Sequence, residues 1–421
     1  MSKPSSKGSI APHLQFKYYF GGDVLILQCI GLYSMGSIFK NTEPSFNLWE
    51  LPPFVCALGI LLCGLVGDFS NVIVEARQYS LFAIEVLAIV LCGSLGTYKG
   101  YRLWIYRREF YNFIKAIQLR WDEGLAQNTI TESMVEAAKS IRLFRVWYGT
   151  VIAVFFGSYI VRPYVAYSLF KLSGVNKTFD YTKTVYPAVH PFPLTTPLSF
   201  FCCVTVESIG VIFCTLYWTA ADGLFAQLTT HLAIQFQILA NRLRYMPTPE
   251  MIGSHHTAMV VQRLKTTVQD YLKLFEYINE LETIYNPILF STVVVNGLNI
   301  CTCLYSLQYR LSKHEWEMAG KNALLTTGIT AQTMMFCMCA QHLNEQIAGV
   351  RQAAYNCSWT EFNSTIKNLL LLIMIQTEPE FIYAAYGFVY LNKPQMTVVR
   401  IHLNIASYMT SNIRCNKARI E

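Results

Sequence analysis

Charge is what this chain is short of. Asp, Glu, Lys and Arg make up 14% of its 421 residues, against about 25% in ordinary soluble domains. So few ionised groups cannot cover a surface that meets water on every side, so the composition excludes a simple soluble protein. A concentrated basic tract is missing too. The net charge of +7 is spread along the chain, which argues against nucleic acid as a partner. No Gly-rich phosphate loop, nucleophile elbow or intramembrane carboxylate pair is found, so neither an enzyme nor a cofactor is expected. The first fifteen residues, MSKPSSKGSIAPHLQ, are polar and lead into no cleavable apolar core; the N-terminus is therefore expected to stay in the cytosol. An internal repeat, the mark of many transporters, is also lacking.

What is present is apolar surface: 53% of residues are hydrophobic and 14% aromatic. Most of the 13 cysteines, among them Cys56, Cys63, Cys92, Cys202, Cys203, Cys214 and Cys337, sit in apolar runs and read as small buried hydrophobes rather than a disulfide framework. Runs long enough for a helix to cross a bilayer occur at 49–67, 80–98, 147–170, 198–219, 285–307 and 322–342. A seventh begins near Pro394 and ends at Cys415, giving seven spans. A weaker apolar segment, Val24 to Phe39, is short and interrupted by Gln28, Gly31, Ser34 and Gly36, and is expected at the membrane interface. The long connections are 99–146, 220–284 and 343–393. Within the second, Val261, Leu264, Val268, Tyr271, Phe275, Ile278 and Leu281 recur at helical steps, predicting an amphipathic helix that runs directly into the fifth span. In the third, Leu369–Ile375 predicts a buried helix outside the bilayer.

The seventh span carries a polar stripe. Arg400, Asn404, Ser407 and Ser411 are spaced i, i+4, i+7 and i+11, and so share one helical face, with Val398, Ile401, Ile405 and Met409 on another. From the residues alone the stripe faces either water or neighbouring helices, where Ser and Asn commonly form hydrogen bonds. The positive-inside rule does not orient the chain, because the segments that would hold the most Lys and Arg are long ones that count weakly. The sequons beginning at Asn176, Asn356 and Asn363 fall on both sides and do not orient it either.

Three stretches carry a resemblance. The closing block, NLLLLIMIQTEPEFIYAAYGFVYLNKPQMTVVRIHLNIASYMT, places a leucine-rich helix before a Gln and a Pro, then a small and aromatic segment with Gly, then a last helix ending in Ser407-Tyr408. Before it come CAQHLNEQIAGVRQAAYNCSWTEF and AADGLFAQLTTHLAIQFQIL. Together, from about residue 200 onward, these resemble the insect odorant receptor family, seven-helix chemosensory receptors unrelated to G-protein-coupled receptors. Lys99 corresponds to a lysine usual in that family at the exit of the second helix.

The resemblance implies an all-α membrane protein of the plasma membrane, with a cytosolic N-terminus, an extracellular C-terminus and four subunits around a central pore. Residues 1–48 would form a cytosolic N-terminal segment and 49–342 the first six transmembrane helices with cytosolic connections 99–146 and 220–284. Residues 343–393 would form cytosolic anchor helices, 394–415 the pore-lining seventh helix and 416–421 an extracellular tail. Asn404, Ser407, Ser411 and Cys415 would line the pore. Arg400, Arg414, Lys417 and Arg419 in four copies would build a positive girdle opposing cations. The chain is therefore expected to be the odorant-tuning subunit of a heteromeric, odorant-gated cation channel, assembled with the family's shared co-receptor.

A volatile odorant is small and mostly apolar, so its pocket should be apolar and aromatic with one or two polar anchors. The resemblance places it in the outer half of the membrane among helices two, three, four and six. The candidate lining is Phe82 and Glu85 on helix two; Phe156, Tyr159, Ile160 and Tyr164 on helix three; Val206, Ile209 and Phe213 on helix four; and Thr327, Ala331 and Met334 on helix six. Arg162 is expected to pair with Glu207 or Glu85. His255-His256 lies in a polar linker without a carboxylate or cysteine at ligand spacing, so no metal is expected there.

Two other receptor classes compete. A G-protein-coupled receptor would invert the topology and usually ties its third helix to the second outer loop through cysteines, yet 171–197 contains none. A gustatory receptor-type channel would end in a Thr-Tyr pair followed by Gln-Phe, and here Ser407-Tyr408 stands without it.

Overall fold

The computed structural model describes residues 11–40, 48–77, 81–173, 179–186, 188–246, 257–357, 359–377, 383–386 and 389–390. The seventh span, with Arg400, Asn404, Ser407, Ser411 and Cys415, lies outside the described residues, as do His255-His256 and Asn176. The order is α1 (Phe16–Cys29), α2 (Leu51–Ala76), α3 (Leu81–Ile105), α4 (Arg107–Ala126), α5 (Glu132–Leu172), α6 (Pro197–Arg244), α7 (Thr257–Ser312), α8 (Trp316–Asn356) and α9 (Ser364–Gln376). One antiparallel ladder of two residue pairs, β1 (Ala384–Ala385) with β2 (Val389–Tyr390), is all the strand among the described residues.

Among the described residues, six helices, α2, α3, α5, α6, α7 and α8, are long and apolar enough to cross a bilayer, and each covers all or nearly all of one expected run. Their outward faces show what surrounds them. On α2, Val55, Leu62, Val66, Phe69 and Ile73 are all exposed, an arrangement stable only where the solvent is hydrocarbon. The helices also outrun the membrane. α7 has 56 residues, which at about 1.5 Å per residue is about 84 Å against a hydrocarbon core of about 30 Å. The amphipathic repeat of 261–281 is the first half of this helix. It buries Leu264, Tyr271, Ile278 and Leu281 and continues through Pro287 into the fifth span. The excess lengths of α5, α6, α7 and α8 pack with α1, α4 and α9 into a second bundle.

The centre of that bundle is α6. Every residue from Ala220 to Phe236 is buried, so this stretch is enclosed by protein on all sides, its polar residues Asp222, Gln227 and His231 included. Thr196 caps its N-terminus by accepting from the Ser199 amide at 3.3 Å, and Pro197 supplies the fixed φ of the first turn. In the N-terminal segment, α1 buries Phe16, Tyr19, Phe20, Val24 and Leu27, and the following turn buries Ile30, Leu32, Met35 and Ile38 in the same core. The turn is made by Gly31 at φ +98°, where an added Cβ would lie 2.9 Å from the Pro53 ring. The interruptions that weaken this segment as a membrane span are thus what fold it back into the protein.

Candidate functional site

Four of the spanning helices converge on a buried polar cluster. Lys99, near the end of α3, is fully buried and donates to Asp222 Oδ1 of α6 at 2.7 Å. The Tyr148 hydroxyl of α5 and the Gln332 amide of α8 donate to Asp222 Oδ2 at 3.0 and 2.6 Å. The Trp218 indole N–H donates to the Tyr148 hydroxyl at 3.1 Å, and the Lys99 ammonium sits 4.4 Å from the Trp218 ring centroid. Asn296 of α7 completes the cluster by donating to Gln332 Oε1 at 3.0 Å and to Thr333 Oγ1 at 3.2 Å. A buried ion pair stabilises only when its remaining hydrogen-bonding capacity is met, and three donors on one carboxylate meet it. Among the described residues, every spanning helix except α2 is thereby tied to this point.

Above the cluster lies a crevice bounded by α3, α5, α6 and α8, the second, third, fourth and sixth spans. Cys92, Tyr148, Ile152, Phe155, Phe156, Trp218, Leu325, Gly328, Ile329 and Gln332 are among its lining residues, and its volume is about 30 Å³. Space of that size holds about one water and is far short of the roughly 300 Å³ that a drug-sized ligand occupies. Admission of any drug-sized ligand would therefore require the aromatic walls to move. The crevice offers what such a molecule needs, an aromatic lining with the Tyr148 hydroxyl and the Gln332 amide at its floor.

The expected lining residues scatter around it. Phe156 lines the crevice. Tyr159 and Ile160 pack instead on a neighbouring cluster of Val185, Phe200, Val204 and Val211, and Tyr164 is exposed with its ring against Phe201. Val206 lines a different and larger cavity of about 460 Å³ between α2, α3, α6 and the segment 186–192. Ile209 is exposed, and Phe213 packs on the main core near Tyr217. Thr327 and Met334 are exposed and Ala331 half-buried, because the crevice wall of α8 is the face carrying Leu325, Gly328, Ile329 and Gln332. Phe82 is exposed. Sequence reasoning missed Tyr148, Trp218, Asp222 and Gln332. The signal for Asp222 was its place in AADGLF, an acid within an apolar run, which with Lys99 makes one opposite-charge pair.

The ion pairs differ from the expectation. Glu85 does not pair with Arg162; its two carboxylate oxygens each accept from Arg310 of α7 at 3.0 Å, and Arg310 also bonds Glu315. Glu207 is held by Thr184 Oγ1 at 3.1 Å and by the amides of Val185 and Tyr186 at 2.9 and 3.2 Å. Arg162 is exposed on α5 and takes part in no ion pair among the described residues. The bidentate Glu85–Arg310 geometry already gives Glu85 its counter-charge, so the cost of its partial burial is met without Arg162.

Comparison with known proteins agrees with this architecture. The profile of a family described as 7tm Odorant receptor matches residues 81–393. The chain is similar to Odorant receptor 10 of Aedes albopictus, 22% identical over 74% of this chain and 76% of the relative. It is also similar to Odorant receptor Or2 of Anopheles gambiae, with 22% identity and the same shares. Among solved structures it superposes on the insect olfactory receptor OR5 from Machilis hrabei with a TM-score of 0.70 at 11% identity, covering 96% of this chain and 99% of that one. The complex of that receptor with eugenol gives a TM-score of 0.70 at 10% identity, covering 96% and 100%.

Proposed function

This chain belongs to the 7tm odorant receptor family, and from that premise we propose that it is the odorant-tuning subunit of a ligand-gated, non-selective cation channel. The observation that carries the reading is the family match over residues 81–393. The chain is a multi-pass membrane protein of a receptor family, not an enzyme family. In the proposal it sits in the plasma membrane with its N-terminus in the cytosol, and four subunits, this chain with the family's co-receptor, surround one pore. The seventh helix lines that pore through Asn404, Ser407, Ser411 and Cys415.

The odorant is held in the crevice between α3, α5, α6 and α8. Support comes from its walls of Phe155, Phe156 and Trp218 and from its floor on the Tyr148–Asp222–Gln332 cluster. A receptor of the same fold was solved in complex with eugenol, a small aromatic phenol, and a phenol suits a pocket with aromatic walls and a hydroxyl-bearing floor. A ligand that binds only after the walls part binds the expanded state better than the closed one, and this differential affinity is what shifts the gate.

The test uses Gly328, where an added Cβ meets nothing within 4 Å. Currents evoked by a panel of volatiles in cells expressing this chain with the co-receptor are expected to disappear in Gly328→Leu, whose Cβ has room and whose remaining atoms take the space an odorant would need, while surface expression persists. If G328L responds as wild type and Val206→Trp, which fills the larger cavity, abolishes the currents, the odorant site is the larger cavity. Robust cation currents from this chain expressed alone would overturn its assignment as the tuning subunit.

A further inference from the structure

The larger cavity holds a group of side chains that odorant binding in the crevice does not use. His190 comes from the segment between α5 and α6, and Cys203 and Glu207 lie one turn apart on α6. Their donor atoms converge: His190 Nε2 is 3.5 Å from Glu207 Oε1, Cys203 Sγ is 3.6 Å from Glu207 Oε1, and Cys203 Sγ is 3.8 Å from His190 Nε2 and 3.6 Å from its Nδ1, with Thr184 Oγ1 3.4 Å from Nε2. A tetrahedral zinc ion, with bonds of about 2.3 Å to sulfur and about 2.0–2.2 Å to nitrogen and oxygen, holds its ligands about 3.3–3.6 Å apart. The three separations match the edges of that tetrahedron to within a few tenths of an ångström. We propose that His190, Cys203 and Glu207 form a zinc-binding site that fastens residues 188–196 to α6 over the larger cavity.

The surroundings support a metal over a plain hydrogen-bonded cluster. Thr184 Oγ1 and the amides of Val185 and Tyr186 fix both oxygens of Glu207, the outer support that orients a metal-bound carboxylate. Asp68 of α2 lines the same cavity; it is 2% exposed, and its Oδ1 has no hydrogen-bond partner. A buried carboxylate oxygen left without a donor is costly, and a cation bound in the same cavity would offset that cost. The ligand set of one thiolate, one carboxylate and one imidazole neutralises a divalent ion and excludes calcium and magnesium, which demand oxygen shells. On binding, the Cys203 thiol releases its proton to solvent. Three protein ligands leave a fourth position toward the cavity, the arrangement of an open zinc site. The reading does not rest on the odorant crevice, whose lining shares no residue with this cavity.

Cobalt reports the site directly. Titration of the purified full-length chain, assembled with its co-receptor in detergent, with Co²⁺ is expected to give a thiolate-to-metal absorption band in the near ultraviolet with tetrahedral d–d bands, both displaced by Zn²⁺. Cys203→Ser should abolish the ultraviolet band, and His190→Ala and Glu207→Gln should each weaken binding tenfold or more, while Cys202→Ser leaves it intact. Should C203S fail to assemble, Zn²⁺ is expected to slow maleimide labelling of Cys203 in the wild-type chain, read by mass spectrometry of its peptide and reversed by a chelator. Absence of the thiolate band in the wild type, its survival in C203S, or labelling of Cys203 indifferent to zinc would each overturn the proposal.

Discussion

The Lys99–Asp222 pair shows how much one residue decides in this fold. Asp222→Asn leaves the Lys99 ammonium buried without its counter-charge, and breaking one side of a buried pair costs about 3–5 kcal/mol. The expected outcome is loss of monodisperse, thermally stable complex in fluorescence-detected size exclusion. The double variant Lys99→Met with Asp222→Leu, which removes both charges, should recover much of that stability. His231 makes a second prediction, away from the membrane. It is fully buried among the rings of Phe16, Tyr19, Phe20 and Trp121, with centroids 4.9–5.9 Å away, and burial pushes its pKa down to about 4 from the usual 6.5. The unfolded chain therefore binds a proton that the folded chain refuses, so stability falls as pH drops from about 6.5 toward 4, by an amount on the order of 3 kcal/mol. Burial raises Asp23 to about 6, with Arg145 opposing; that contribution is present at low pH and lost as pH rises through 6. The histidine is isolated by difference: His231→Leu should show a melting temperature that falls less than wild type between pH 6.5 and 4.

At the scale of elements, α3 and α6 approach closely because α3 presents Gly96 and Gly100 one turn apart. A Cβ at Gly100 would stand 2.5 Å from the Tyr217 ring, so Gly100→Ala forces the two helices apart or turns the ring, at an expected cost of about 1–3 kcal/mol, read as a lowered melting temperature. The same approach seats Lys99 against Trp218 and Asp222, so the variant should also blunt odorant responses. The helices themselves were legible in the sequence, since a run of about twenty apolar residues leaves a chain in lipid little choice but a helix. Their full lengths were less so. Hydropathy ends where the bilayer ends, while α6 runs on from the expected limit at 219 to Arg244 because its lower half is buried in protein. The phase of each helix was the least legible. Thr327, Ala331 and Met334 share a face at helical spacing just as Leu325, Gly328, Ile329 and Gln332 do, and only packing decides which face meets α5 and α6. Glu85 and Arg310 are 225 residues apart, and no local pattern joins them, nor does one join His190 in its proline-rich segment to Cys203 on the next helix.

For the whole molecule, the remaining question is how an event among the spanning helices reaches a pore. The crevice floor is shared by α3, α5, α6 and α8, and Asn296 brings in α7, so parting the crevice walls strains one cluster that five helices hold in common. A junction of that kind moves helices together rather than singly, because a close-packed interior transmits displacement instead of absorbing it. The proposed pore face of the seventh helix follows from its sequence: Asn404, Ser407 and Ser411 fall on one side, and a polar stripe along a membrane helix stays solvated only beside water or a partner helix. Single cysteines placed at positions 404, 407 and 411, with Cys415 replaced by serine in each, are therefore expected to react with a membrane-impermeant thiol reagent applied from outside. The rates should rise at least several-fold when an activating volatile is present. Cysteines at Ile405 and Met409, on the far side of the helix, should remain unreactive in both conditions. If all five positions are equally inert with and without odorant, the stripe packs against other helices and the conduction path lies elsewhere.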